Sequence, residues 1–330
     1  MCPVAKFLVN KGYDCIFVDE LHLFDAQERL LLRYLVRTTR ERPKIFMALD
    51  PRQSPWEVYT GLAGLSTATN ADVAVEEDLG DVSSVDLPTI HRFTPQILEL
   101  VKHIHLEYPT LDLGADWEFD SASLTSSAPS GPTPSIVRCG TSNAELVEAF
   151  RTVQRELKRT TAAGAGRVAV AVLDESLFPS YRKFAHDMAA NSRTPVAVIE
   201  SREDVEKVEK YIRRRVVVGP VEYLAGLQFD TLVVCGLPET NFGNANSGHR
   251  QRRFLSLLYL GISRAIREVV LIVNDESGGV PEVLEAACEK KSFACFVDPR
   301  SNGASPNALA FARGRVTGGS FTLRPPESPA

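Results

Sequence analysis

The feature that most constrains this 330-residue chain is a repeated change of hydrophobic period. Apolar runs of strand length, such as RVAVAVL at 167–173, TLVVC at 231–235 and EVVLIV at 268–273, alternate with longer stretches whose apolar residues recur at helical spacing. An unbroken apolar run suits a strand buried on both faces, and a helix between strands supplies the crossover that parallel pairing needs. The expected class is therefore α/β, built on doubly wound parallel sheets. In the first part, strands are expected at 15–18 and 44–49, with a helix over 25–39 between them. A further helix is expected over 94–105, opened by Pro95 at a tolerated first-turn position. Later strands are expected at 135–139, 167–173, 196–200, 215–218, 231–235 and 268–273. Helices at 143–160, 177–190, 204–212 and 250–266 separate them. Residues 109–135 mix Pro, Ser, Thr, Gly and Asp without period and end in SSAPSGPTPS, which reads as a linker. The expected organisation is a partial domain at 1–112, a linker at 113–134, a second domain at 135–298 and a flexible tail at 299–330.

Length and a hydrophobic content of 44% allow two domains of ordinary size. The net charge of -5 provides no general basic field, so contact with nucleic acid must come from local patches such as Arg213–Arg215 or Arg250–Arg253. Six cysteines with no C-x-x-C pair fit free thiols in a reducing compartment, without a disulfide framework or zinc site. No signal peptide and no apolar run of membrane-spanning length is found, so the expectation is a cytoplasmic protein with no membrane partner.

Chemistry concentrates at strand ends. IFVDELH sets Asp19 and Glu20 after an apolar run, at the carboxyl end where open α/β sheets place ligands. KIFMALDPRQSPW brings Asp50 and Gln53 to the end of the next strand. LPTIHRFTPQILELV sets Arg92 in the turn before a helix, and RRFLSLLYLGISRAIREVVLIV sets Arg264 near the end of another. An arginine on each side of a cleft is a means of stabilising the charge of phosphoryl transfer.

Taken in order, VDE, LDPRQS, HRFTPQI, AGLQFD and LYLGISRA resemble motifs II to VI of superfamily-1 helicases of the UvrD, Rep and PcrA type, over about residues 13–274. The resemblance implies two RecA-like lobes, the first incomplete here, with ATP and Mg²⁺ in the cleft between them and single-stranded DNA as partner. It implies Asp19 for magnesium, Glu20 for activating the attacking water, Gln53 for sensing the γ-phosphate, and Arg92 and Arg264 for clamping it. Asp50 falls beside Gln53 on the nucleotide side. His91 stands where the family has a tyrosine that stacks on adenine, and Gln228 where it has a glutamate that bonds the ribose. Trp56 and Tyr59 follow motif III, where residues that stack on DNA bases occur. Motif V departs: Pro220, Glu222 and Ala225 replace a threonine, a histidine and often a lysine, so Glu222 brings an acid to the DNA side. His22 and Leu23 replace a Gln and an Asp after the acid pair.

No G-x-x-x-x-G-K-[ST] occurs; AAGAGRV at 162–168 lacks the lysine and leads into a strand. Without that cradle for the β- and γ-phosphates, the chain alone is expected to hydrolyse ATP poorly. The P-loop is expected from an N-terminal segment of a longer protein or from a protein partner, and until it arrives the strand at 16–18 is expected to show an unpaired edge and an uncovered face. The alternative is a catalytically inactive, helicase-like module that binds DNA or protein.

Overall fold

In the computed structural model the described residues are 13, 15–19, 35, 44–48, 87–107, 123–163, 166–192, 195–209, 216–238, 247–290 and 295–297. Near the N-terminus, strands β1 (Cys15–Val18) and β2 (Lys44–Met47) pair in parallel, with Phe17 opposite Phe46. Those two rings stack at 4.9 Å on a face left open to solvent, while Val18 on the alternate face is buried.

The strands β3 (Thr89–Ile90) and β4 (Thr125–Ser126) form a second short parallel pair. Helix α1 (Pro95–Glu107) follows β3, started by Thr94, whose Oγ1 accepts from the Ile97 N–H at 3.4 Å.

A seven-stranded parallel sheet dominates the rest. In chain order its elements are β5 (Ser135–Cys139), α2 (Ser142–Ala163), β6 (Val168–Val172), α3 (Phe178–Ser192), β7 (Val196–Val198), α4 (Arg202–Glu209), β8 (Val216–Pro220), β9 (Phe229–Cys235), α5 (Ser247–Ile262), β10 (Ala265–Asn274), α6 (Glu282–Glu289) and β11 (Cys295–Val297). The spatial order is β11-β5-β10-β9-β6-β8-β7. Side chains follow the period of two: Val168, Val170 and Val172 pack with α2 and α3, whereas Ala169 and Ala171 pack with α1 and α5. Helices thus cover both faces, which is the doubly wound α/β arrangement expected. Each large apolar side chain so enclosed contributes roughly 1.5–3 kcal/mol.

Helix α1 departs from the expected division of the chain. Residues 94–105 were assigned to a unit ending at 112, with a linker over 113–134, yet Phe93, Ile97, Leu98, Leu100, Val101 and Ile104 are buried in one core with Ile136, Leu271 and Leu284 of the seven-stranded body. The Thr94 N–H donates to the Ile266 carbonyl at 3.1 Å, and His103 Nε2 lies 3.0 Å from the Val283 carbonyl oxygen. The reason is the amphipathic stripe of α1, which needs an apolar surface and finds it beside α5 and α6. The described part of the supposed linker, 123–134, is ordered with it: Leu124 joins the same core. The expected tail at 299–330 lies outside the described residues. Among the described residues no helix is long and apolar enough to cross a membrane.

Candidate functional site

The expected site residues fall into three groups. Glu20, Asp50, Gln53, Trp56 and Tyr59 lie outside the described residues. Asp19 is described: it follows β1 directly, at the carboxyl end of the β1–β2 pair, and is exposed. The remaining five are Glu222, Gln228 and Arg264 of the seven-stranded body and His91 and Arg92 of the loop before α1.

Four of these five gather at one edge of that sheet. Gln228 immediately precedes β9 and Arg264 immediately precedes β10, and these strands pair with Ala265 opposite Phe229. The Phe229 N–H donates to the Arg264 carbonyl at 3.0 Å. The bond from the Thr94 N–H to the Ile266 carbonyl brings the loop carrying His91 and Arg92 to the same end of β10. Three segments more than thirty residues apart in sequence therefore meet at the amino-terminal ends of β9 and β10.

Within this edge the side chains differ in access. His91 is exposed and Arg92 and Gln228 are half-buried. Arg264 is 1% exposed; its Nη2 donates to Ser263 Oγ at 3.3 Å, and the Ser263 hydroxyl donates in turn to the Leu260 carbonyl at 2.9 Å. The turn at 261–264 ends α5 through a bond from the Arg264 N–H to the Gly261 carbonyl at 2.9 Å. The guanidinium is thus enclosed at the junction of α5 and β10, where no open surface reaches it.

The fifth residue sits at the opposite edge. Glu222 lies on a short 3₁₀ turn, Val221–Leu224, that follows the carboxyl end of β8. Its carboxylate is 3.6 Å from the guanidinium of Arg253 on α5. Burial pushes the Glu222 carboxyl above its ordinary range, Arg253 opposes this, and Glu175 and Asp174 add to the upward push. The sheet therefore separates the expected nucleotide residues from the expected DNA-side residue by the length of its strands.

The same carboxyl edge holds a buried polar junction that the sequence did not announce. Glu145, in the first turn of α2, is 1% exposed. Its Oε1 accepts from the Gly236 N–H at 2.7 Å, its Oε2 accepts from Asn274 Nδ2, and Tyr181 also bonds to it. Desolvation raises the Glu145 carboxyl above its ordinary value despite these donors. It raises Tyr181 as well, with Cys235 and Glu145 contributing, and carries the Cys139 thiol up to about 12. This junction ties α2 to the exits of β9 and β10. A glutamate in the first turn of a helix is an ordinary sequence feature, so only the packing distinguishes this one.

Ser127 was likewise hidden in the Ser- and Pro-rich tract. Its Oγ lies 2.6 Å from His91 Nδ1, and its N–H donates to the Ile90 carbonyl at 3.0 Å.

Magnesium and ATP fit the residues present to this extent. Magnesium takes hard oxygen ligands and commonly uses one or two carboxylates alongside substrate phosphates and water, which the exposed Asp19 carboxylate satisfies. Among the described residues no group of three or more His, Cys, Asp or Glu is placed to hold a metal by itself. The amino-terminal ends of β9 and β10 bring together the segments that carry a guanidinium, an amide and an imidazole.

No known family model matches the chain, and no curated protein matches it. Among solved structures, the chain is similar to the C-terminal domain of a possible DNA helicase from Lactobacillus plantarum WCFS1, at 17% identity and a TM-score of 0.40, covering 62% of this chain and 98% of that one. It is also similar to the C-terminal domain of the DEAD-box protein Dbp5, at 12% identity and a TM-score of 0.32, covering 54% of this chain and 94% of that one.

Proposed function

We propose that this chain is the rear part of an ATP-driven superfamily-1 DNA helicase or translocase of the UvrD-like type, the seven-stranded body being its second RecA-like lobe. The observation that carries the reading is the meeting of residues 91–94, 228–229 and 264–266 at one edge of the sheet. Three motifs far apart in sequence come together there, which supports the reading.

In this reading the β1–β2 pair belongs to the first lobe and contributes Asp19 toward Mg²⁺. When bound, that ion neutralises phosphate charge. Arg92 and Arg264 meet the charge that develops on the transferred phosphoryl group, while Gln228 offers its amide to the ribose and His91 its ring to the base. Single-stranded DNA crosses the opposite, carboxyl-terminal edge near Glu222. Arg264 is enclosed at rest, so the 261–264 turn must rearrange as the lobes close before its guanidinium meets a phosphate. The phosphate cradle comes from polypeptide carrying a G-x-x-x-x-G-K-[ST] segment outside this sequence.

The test is DNA-stimulated ATPase of the chain joined to or mixed with such a polypeptide. Activity that falls about 10³-fold or more in Arg264→Ala and in Glu20→Gln is expected. Activity that ignores both substitutions would refute the catalytic role.

One observation favours a second reading, a helicase-like module that binds DNA or protein without catalysis: the guanidinium of Arg264 is shut in beneath its own helix end. Under that reading single-stranded DNA binding persists and no added P-loop polypeptide elicits hydrolysis.

A further inference from the structure

The tract at 124–134, which in sequence is a featureless run of Ser, Pro, Gly and Thr, is fastened along the loop that carries His91 and Arg92. Ser126 Oγ donates to the Phe93 carbonyl at 2.6 Å and accepts from the Ala128 N–H at 3.2 Å. The Ser127 N–H donates to Ile90, and the Gly131 N–H donates to Gln96 Oε1 at 2.8 Å. A Cβ on Gly131 would stand 2.6 Å from Thr94 Cγ2 and 2.8 Å from the Arg267 carbonyl oxygen, so the tract presses against the loop at a distance only glycine permits. Ile90, Phe93 and Thr94 are thus bonded to the tract or to β10, while other side chains of the loop are more open.

His91 is one of those side chains, and the tract holds it too, through the 2.6 Å contact between Ser127 Oγ and Nδ1. A contact at Nδ1 constrains the ring plane, whichever partner donates, and leaves Nε2 as the other polar atom of the ring. We propose that residues 124–131 form a positioning strap for the nucleotide base, in which Ser127 orients His91 so that Nε2 hydrogen-bonds the edge of the base. The inference rests on the nucleotide reading above and goes beyond it. A tyrosine at this place would offer a stacking face, whereas an anchored imidazole offers a directed hydrogen bond and a smaller face. Ser127 touches no nucleotide itself and acts through His91, so it is a positioning residue.

The experiment uses the 330-residue chain with Mg²⁺, titrated with ATP and, separately, with ribose 5-triphosphate, which carries the same phosphates and sugar but no base. Imidazole ¹⁵N shifts of His91 are followed throughout. The wild type is expected to bind ATP more tightly than the base-free compound and to show a hydrogen-bonded His91 Nδ1. Ser127→Ala is expected to weaken ATP about two- to tenfold, the worth of one net hydrogen bond, to shift the His91 Nδ1 resonance, and to leave ribose 5-triphosphate unchanged. Ser127→Thr, which keeps the hydroxyl, is expected to restore both readouts. Equal affinity of the wild type for the two compounds, or a Ser127→Ala variant with unaltered ATP affinity and Nδ1 shift, overturns the strap while the nucleotide face stands. If neither triphosphate binds the wild type, the strap and the nucleotide face fall together.

Discussion

At the scale of single residues, Glu145 is a buried carboxylate held on both oxygens. Both of its oxygens accept from N–H donors, Gly236 on one side and Asn274 on the other, and Tyr181 adds a third bond, so an acceptor-only carboxylate suits the place. Glutamine must turn an N–H₂ toward one of those donors. Glu145→Gln is therefore expected to cost about 1–3 kcal/mol, read from denaturant unfolding, because a buried donor loses its acceptor. The pH dependence has a definite sign. Burial raises this carboxyl in the folded state above its unfolded value, so the native state holds the proton more strongly. The stability it contributes is complete in acid, below the unfolded value, and is lost as pH rises through the raised folded value. Thermal melts across that window are expected to show a downward slope with pH that Glu145→Gln flattens; an unchanged slope would assign the dependence to other acids, such as Glu148 or Glu268, which burial also raises.

At the scale of elements, the strap and helix α1 show what packing adds to pattern. Gly131→Ala inserts a methyl where Thr94 and the Arg267 carbonyl already stand. A loss of about 1–3 kcal/mol is expected, together with weaker binding of Mg²⁺·ATP, since the displaced strap releases the His91 loop. Stability lost without any change in binding would separate the strap from the site. Most strands of the large sheet were legible: β6 reads VAVAV, the unbroken apolar run that two-sided burial leaves, and the expected 135–139 coincides with β5, whereas β11 was not expected. The pair β3–β4 was not legible, because two residues per strand are too few to show a period. Helix α1 was legible as a helix but not as a member of the C-terminal body. Its apolar stripe states that a partner surface exists, and only long-range contacts such as His103 with Val283 state which one.

At the scale of the whole molecule, the seven-stranded sheet sets two groups of polar side chains at its two ends. His91, Arg92, Gln228 and Arg264 were each legible as candidates from short motifs, and the backbone brings their segments to one edge. What the motifs did not reveal is access: Arg264 is enclosed and Glu222 is paired with Arg253, because burial depends on neighbours that are distant in sequence. Near the N-terminus, Phe17 and Phe46 are stacked and exposed. The claim on which the whole account turns is that the amino-terminal ends of β9 and β10 form a nucleotide face. The most direct measurement is a map of backbone amide shifts as Mg²⁺·ATP is titrated into the chain. Perturbations concentrated at 91–94, 228–229 and 264–266, and diminished in Arg92→Ala, are predicted; perturbations confined to the opposite edge around Glu145, Glu222 and Asn274, or none at millimolar nucleotide, would contradict it.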